Sequence, residues 1–202
     1  MVVATHLYKK LRRDDFAIFC NGLIVAITMK KNITKFICIN AVIAGLYVLF
    51  TMPFGIIAVN SNLQFRPAEA LTILPALCPY TVVGLTIGCA IANTISPFGA
   101  FDVVLGSAVT LIAGLLTSTK LFRRSYLAPI PPIVLNAFLL PLIWILGGQG
   151  GNVVYWVSVG SLFITQGVVI YALGTPLYYL TKKTLLPMMQ LEDTAKPTDQ
   201  SN

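Results

Sequence analysis

Residues 70–101 read ALTILPALCPYTVVGLTIGCAIANTISPFGAF, 32 residues without a charge. A membrane crossing needs roughly 20 apolar residues, so the run is too long for one crossing and short for two. Pro75 and Pro79 lie in its first third. Proline lacks the N–H that a helix interior requires, and its ring crowds the preceding turn. A single kinked helix and two short helices are therefore both open. The choice decides how many helices the chain has and which way each one points.

The flanking sequence identifies the solvent as a bilayer. Of 202 residues, 56% are hydrophobic and only 10% charged, with a mean hydropathy of +0.82. A soluble domain carries about 25% charged residues. Residues 36–65 and 125–181 are also free of charge. Helices are expected over 36–58, 102–121, 127–146 and 153–180, with the turn Gly147-Gly148-Gln149-Gly150-Gly151 between the last two.

Basic residues settle the ambiguous run. Lys30, Lys31 and Lys35 precede the first helix, Lys120, Arg123 and Arg124 follow the 102–121 segment, and Lys182 and Lys183 follow the last. Loops rich in Lys and Arg stay in the cytoplasm, so an even number of crossings must separate these clusters. Between Lys35 and Lys120 the number is even only if residues 70–101 cross twice, turning near Pro79. The expected fold is an all-α membrane protein with six transmembrane helices and both termini cytoplasmic, multi-pass in a bacterial plasma membrane. Of the 14 lysines and arginines, Arg66 alone then falls outside the cytoplasmic side.

Residues 29–183 form the expected membrane domain. The apolar stretch 16–27 has 12 residues, too few to span, and lacks a small-x-small cleavage site. Met29-Lys30-Lys31 reads as an ordinary start before a membrane helix. Residues 1–28 are thus expected to be an extension upstream of the true start, the alternative being an interfacial helix. Residues 184–202 are expected to be a polar, disordered cytoplasmic tail.

Several chemistries find no support. His6 is the only histidine and no P-loop motif occurs. Cys20, Cys38, Cys78 and Cys89 lack CxxC spacing and sit among apolar neighbours, which suits small hydrophobic packing. No metal, cofactor or nucleic-acid partner is expected. A membrane enzyme would need a nucleophile–base pair or a metal site, and this chain has few residues for either.

Ionisable residues inside a membrane are costly and point to function. Arg66 and Glu69 stand at the outer end of the second helix, three residues apart, with Gln64 just before them. Asn93 lies near the outer end of the third helix and Asp102 opens the fourth. Trp144 and Gln149 close the fifth, and Tyr155 and Trp156 open the sixth. Apolar walls with a few polar groups make a small-molecule site. Each residue also has a plainer role. Arg66 and Glu69 can simply pair at i, i+3, Asp102 can cap its helix, and Trp144, Tyr155 and Trp156 can form an interfacial belt. Asn136 and Gln166, nearer mid-membrane, suit hydrogen bonding between helices. In the first helix, Ala41 and Gly45 stand four apart with Ala44 alongside. This spacing permits close helix approach, within the protein or against a partner.

Several blocks, in order, carry a family resemblance: 63–71 (LQFRPAEAL), 88–93 (GCAIAN), 101–107 (FDVVLGS), 127–132 (LAPIPP) with Asn136, and 173–177 (LGTPL). Across residues 29–183 the chain resembles the QueT family of queuosine-precursor transporters. These are substrate-binding subunits (S components) of energy-coupling factor importers of the ABC type. One departure is Gln166, where the family is expected to carry glutamate. The resemblance implies capture of a small molecule from outside, with docking through Ala41, Ala44 and Gly45 to a transmembrane coupling subunit served by two cytoplasmic ATPases. The implied ligand is 7-aminomethyl-7-deazaguanine or a relative. Glu69 would accept the paired N–H groups of its guanine-like edge and Asp102 would take its cationic aminomethyl group. Arg66 would meet the ring carbonyl or hold Glu69 ionised and oriented, Gln64 and Asn93 would complete the hydrogen bonding, and Phe65, Trp144 or Tyr155 would stack on the base. The alternatives are an S component for another vitamin-like or base-like micronutrient, and a stand-alone ion-coupled secondary transporter.

Overall fold

The computed structural model describes residues 33–54, 65–96, 99–146 and 152–194, with side chains of the last segment described over 154–184. The proposed extension 1–28, Gln64 and the glycine-rich turn lie outside the described residues. Within them all regular structure is helical.

Helix α1 covers Ile33–Thr51 and closes with a 3₁₀ turn, Met52–Phe54. Pro53 sets this end, because the residue before a proline is pushed out of helical geometry. Helix α2 is a ten-residue 3₁₀ segment, Pro67–Ala76, with proline in its first position and Pro75 near its end. A 3₁₀ helix rises about 2.0 Å per residue against 1.5 Å for an α-helix, so ten residues reach about 20 Å. Chain direction changes at Leu77-Cys78, where both N–H groups bond the Leu74 carbonyl. Helix α3 follows as Pro79–Ile95. The 32-residue run is therefore two helices, parted between its two prolines.

Helix α4 spans Asp102–Thr117, and its first turn, Asp102–Gly106, is a π-turn. Helix α5 is Ile130–Leu146. Pro131 and Pro132 stand in its first turn, where the N–H groups they lack have no helical partner anyway. Helix α6 runs as Asn152–Val169, a π-turn at Ile170–Gly174, and Thr175–Thr194. It continues into the tail expected to be disordered. That stretch is rich in Leu, Met, Gln and Glu, all good helix formers. Ile33–Phe54 and Val154–Thr184 are long and apolar enough to cross a membrane, while α3, α4 and α5 are shorter apolar helices.

Helix α2 is the axis of the bundle. Every residue from Ala68 to Ala76 is buried, and the segment packs against α1, α4 and the π-turn of α6. Helices α1 and α3 pack closely, backbone to backbone. A Cβ on Gly84 would stand 2.6 Å from the Asn40 carbonyl oxygen, and one on Gly88 would stand 3.0 Å from the Ala44 Cα. The surface inverts that of a soluble protein. Ile37, Val42, Leu49, Val104, Ile164 and Val168 are exposed, while Arg66, Glu69, Asn93, Asp102, Asn136 and Gln166 are buried. Apolar exterior and ionic interior belong together only where the surroundings are lipid.

Candidate ligand-binding site

The charged residues singled out in the sequence meet inside the bundle, in two linked groups. Arg66 precedes Pro67, which holds it in extended geometry (φ −117°, ψ 97°) at the mouth of α2. Its Nη1 donates to Asn93 Oδ1 at 2.9 Å, and its Nη2 lies 3.7 Å from Asp102 Oδ2. Asn93 Nδ2 in turn donates to the main-chain oxygen of Asp102 at 3.0 Å. One amide thus fastens the guanidinium to the π-turn. Gly106 keeps this arrangement possible, because a Cβ there would lie 2.9 Å from Asn93 Nδ2 and 3.0 Å from Asp102 Oδ1.

Asp102 is 1% exposed, yet neither carboxylate oxygen has a hydrogen-bond partner among the described residues. Its separation from Arg66 exceeds hydrogen-bonding distance. It makes no side-chain cap for its helix. A buried charge is ordinarily hydrogen-bonded as well as paired, so this carboxylate has unused capacity to accept.

The second group is centred on Glu69, one 3₁₀ turn beyond Arg66. Tyr47 Oη donates to Glu69 Oε1 at 2.9 Å and Asn136 Nδ2 donates to Oε2 at 3.2 Å. Asn136 also reaches Gln166 Oε1 at 3.5 Å. Four helices, α1, α2, α5 and α6, therefore converge on one carboxylate. An ionised carboxylate has about four lone-pair sites, so Glu69 can hold this network and still accept further hydrogen bonds. Beside the two groups, Cys89 Sγ accepts from Thr110 Oγ1 at 3.2 Å and packs in the core with Tyr47.

Other candidates are placed differently. Trp144 is buried in an apolar cluster with Val109, Leu140 and Leu162, away from any lipid-facing belt, whereas Trp156 is exposed. Tyr155 donates to the Phe138 carbonyl at 3.3 Å and packs edge-on against Trp156, a structural setting at the rim. Phe65 packs edge-on against Phe54. Ala44 is buried against α3, while Ala41 and Gly45 face outward, and a Cβ on Gly45 would meet nothing within 4 Å. Sequence reasoning did not place Tyr47, Asn136 or Gln166 at the site. For Tyr47 a signal was present, since helical spacing puts Asn40, Ala44 and Tyr47 on one face.

The family model described as QueT transporter matches residues 37–183. "Queuosine precursor transporter QueT" of Lactococcus lactis subsp. cremoris (strain MG1363) is 38% identical to this chain over 85 residues, 42% of this chain and 50% of that protein. The aligned part of the chain spans half the length of this curated relative. No solved structure matches the chain.

Proposed function

The chain belongs to the QueT transporter family, and on that premise we propose that it is the substrate-binding subunit of an energy-coupling factor importer. It captures a queuosine precursor, 7-aminomethyl-7-deazaguanine or a close relative, from outside the cell. The observation that carries this reading is the buried Asp102 carboxylate, which has no hydrogen-bond partner among the described residues. A primary ammonium supplies N–H donors, the hydrogen bonding that pairing with Arg66 at 3.7 Å leaves incomplete. Glu69, held by Tyr47 and Asn136, accepts the two adjacent N–H groups of the guanine-like edge, and Arg66 faces the ring carbonyl. Gln166 belongs to the hydrogen-bond network around Glu69, so its difference from the expected glutamate adjusts the network around the ligand.

The topology that fits is six crossings with both ends in the cytoplasm. The basic clusters demand an even count, and the split at Leu77-Cys78 supports it. Helices α3 to α5 are short for a 30 Å core, and local thinning of the bilayer accommodates them. Ala41 and Gly45, exposed on α1, form the docking face for a transmembrane coupling subunit, which two cytoplasmic ATPases drive. Ala44, by contrast, serves internal packing.

Uptake of labelled ligand by cells expressing the chain with and without the coupling subunit and ATPases tests this reading. Uptake only with the partners is expected. Equal uptake without them would make the protein a stand-alone, ion-coupled transporter. Binding of a different vitamin-like or base-like molecule would keep the subunit role and change the cargo.

A further inference from the structure

A cavity of about 530 Å³ lies between α1 and the later half of α6. Helix α2 packs against both helices and forms its floor. Arg66, Glu69 and Asp102 are absent from its lining, so it is separate from the polar network described above. Cys38 and Val42 stand on its α1 side and are exposed. The cavity is therefore a groove that opens sideways on the apolar, lipid-facing surface.

The lining changes character along the groove. Lys35, Tyr80, Thr81 and Thr181 bring polar groups to one end, and Lys35 is half-buried there. The Phe36 and Tyr80 rings, 6.4 Å apart, hold the start of α1 beside the start of α3 at this end. Leu46 and Leu71 close the other end with apolar side chains. From Lys35 to Leu46 the helix rises about 16 Å. One leaflet contributes about half of a 30 Å hydrocarbon core. The groove is thus one leaflet deep, polar at its mouth and apolar at its foot. In the six-crossing topology its polar end stands at the cytoplasmic surface. Anionic lipids lie on that side, and basic pockets between membrane helices there hold their headgroups.

We propose that this groove binds one acyl chain of an anionic phospholipid of the cytoplasmic leaflet, with the lipid phosphate on Lys35. The match is one of length and of charge order along the groove. A polar small molecule fits poorly, because it needs several converging polar groups to orient it, and the foot of the groove offers none. An apolar helix from a partner would cover the Lys35 ammonium without supplying an anion, and burying an unpaired charge is costly. A phospholipid supplies the anion at the mouth and the hydrocarbon below it. The choice of leaflet rests on the topology given above, and the site itself does not.

The test is native mass spectrometry of the purified full chain with phosphatidylglycerol and phosphatidylcholine of identical acyl chains. Wild type should retain one phosphatidylglycerol molecule, preferred about fivefold over phosphatidylcholine, the effect of one lysine at an anionic surface. Lys35→Gln should erase the preference and hold both lipids equally. Val42→Trp enlarges an exposed side chain at the opening and should lower retention of both. Equal retention of the two lipids by wild type, an unchanged preference in Lys35→Gln, or undiminished retention in Val42→Trp would overturn the inference. Retention of neither lipid, with Val42→Trp losing the coupling subunit instead, would also overturn it and make the groove a partner surface. None of these readouts involves the transported ligand, so their failure leaves the transport reading intact.

Discussion

The Arg66 guanidinium and the Asp102 carboxylate stand 3.7 Å apart in the bundle interior, and neither carboxylate oxygen accepts a hydrogen bond among the described residues. The pair balances charge without completing the hydrogen bonding that buried ions require. A cationic ligand completes it.

Asp102→Asn should therefore abolish discrimination by charge. Affinity for 7-aminomethyl-7-deazaguanine should drop by about tenfold to a hundredfold, the range for a charge-assisted contact. Affinity for a neutral analogue lacking the amine should change little. Parallel titrations of the two compounds check this, and an unchanged ratio between them would remove Asp102 from the amine.

Glu69 should matter for the fold as well as the ligand. Glu69→Ala leaves the Tyr47 hydroxyl and the Asn136 amide, both bonded to it, buried without that acceptor. Each such loss costs about 1–3 kcal/mol. Tyr47→Phe, which removes one hydrogen bond between helices, should cost less, about 0.6–1.7 kcal/mol. Thermal unfolding in detergent should rank the variants in that order, and Glu69→Ala should also lose ligand affinity.

Two glycines should separate folding from assembly. Gly84→Leu drives a side chain into the Asn40 backbone and should destabilise by about 1–3 kcal/mol, as overpacking does. Gly45→Leu projects into open space and should leave the melting temperature and ligand binding intact while abolishing co-purification with the coupling subunit. Normal co-purification of Gly45→Leu would move the docking face elsewhere.

The crossing count has its own readout. In a background free of cysteine, Gln149→Cys should react with an impermeant thiol reagent in intact cells. Ser125→Cys should react only after permeabilisation. The reverse pattern, or labelling of both from outside, would exclude six crossings with the basic clusters inside.

How much of this was legible in the sequence differs residue by residue. The division of residues 70–101 was legible because two prolines and an even crossing count forced it. Arg66, Glu69 and Asp102 were legible because an ionised group inside a membrane is too costly to be incidental. Tyr47, Asn136 and Gln166 were not placed at the site, since neutral polar residues in membrane helices commonly bond a neighbouring helix. Which neighbour they meet is decided by tertiary packing. Asn136 and Gln166 do bond between helices, as expected of such amides, but that they meet each other and converge on the Glu69 carboxylate required the fold. The close approach of α1 and α3 was half legible. Ala44 belonged to the small-residue pattern, but its partner Gly88 became visible only once the two helices were side by side.

Isothermal titration of the purified protein in detergent, with 7-aminomethyl-7-deazaguanine and with guanine, addresses the proposed role at its root. Saturable binding of the first and none of the second is the expected result, because only the first brings an ammonium to Asp102. Equal binding of both, or of neither, would contradict a site built around that carboxylate.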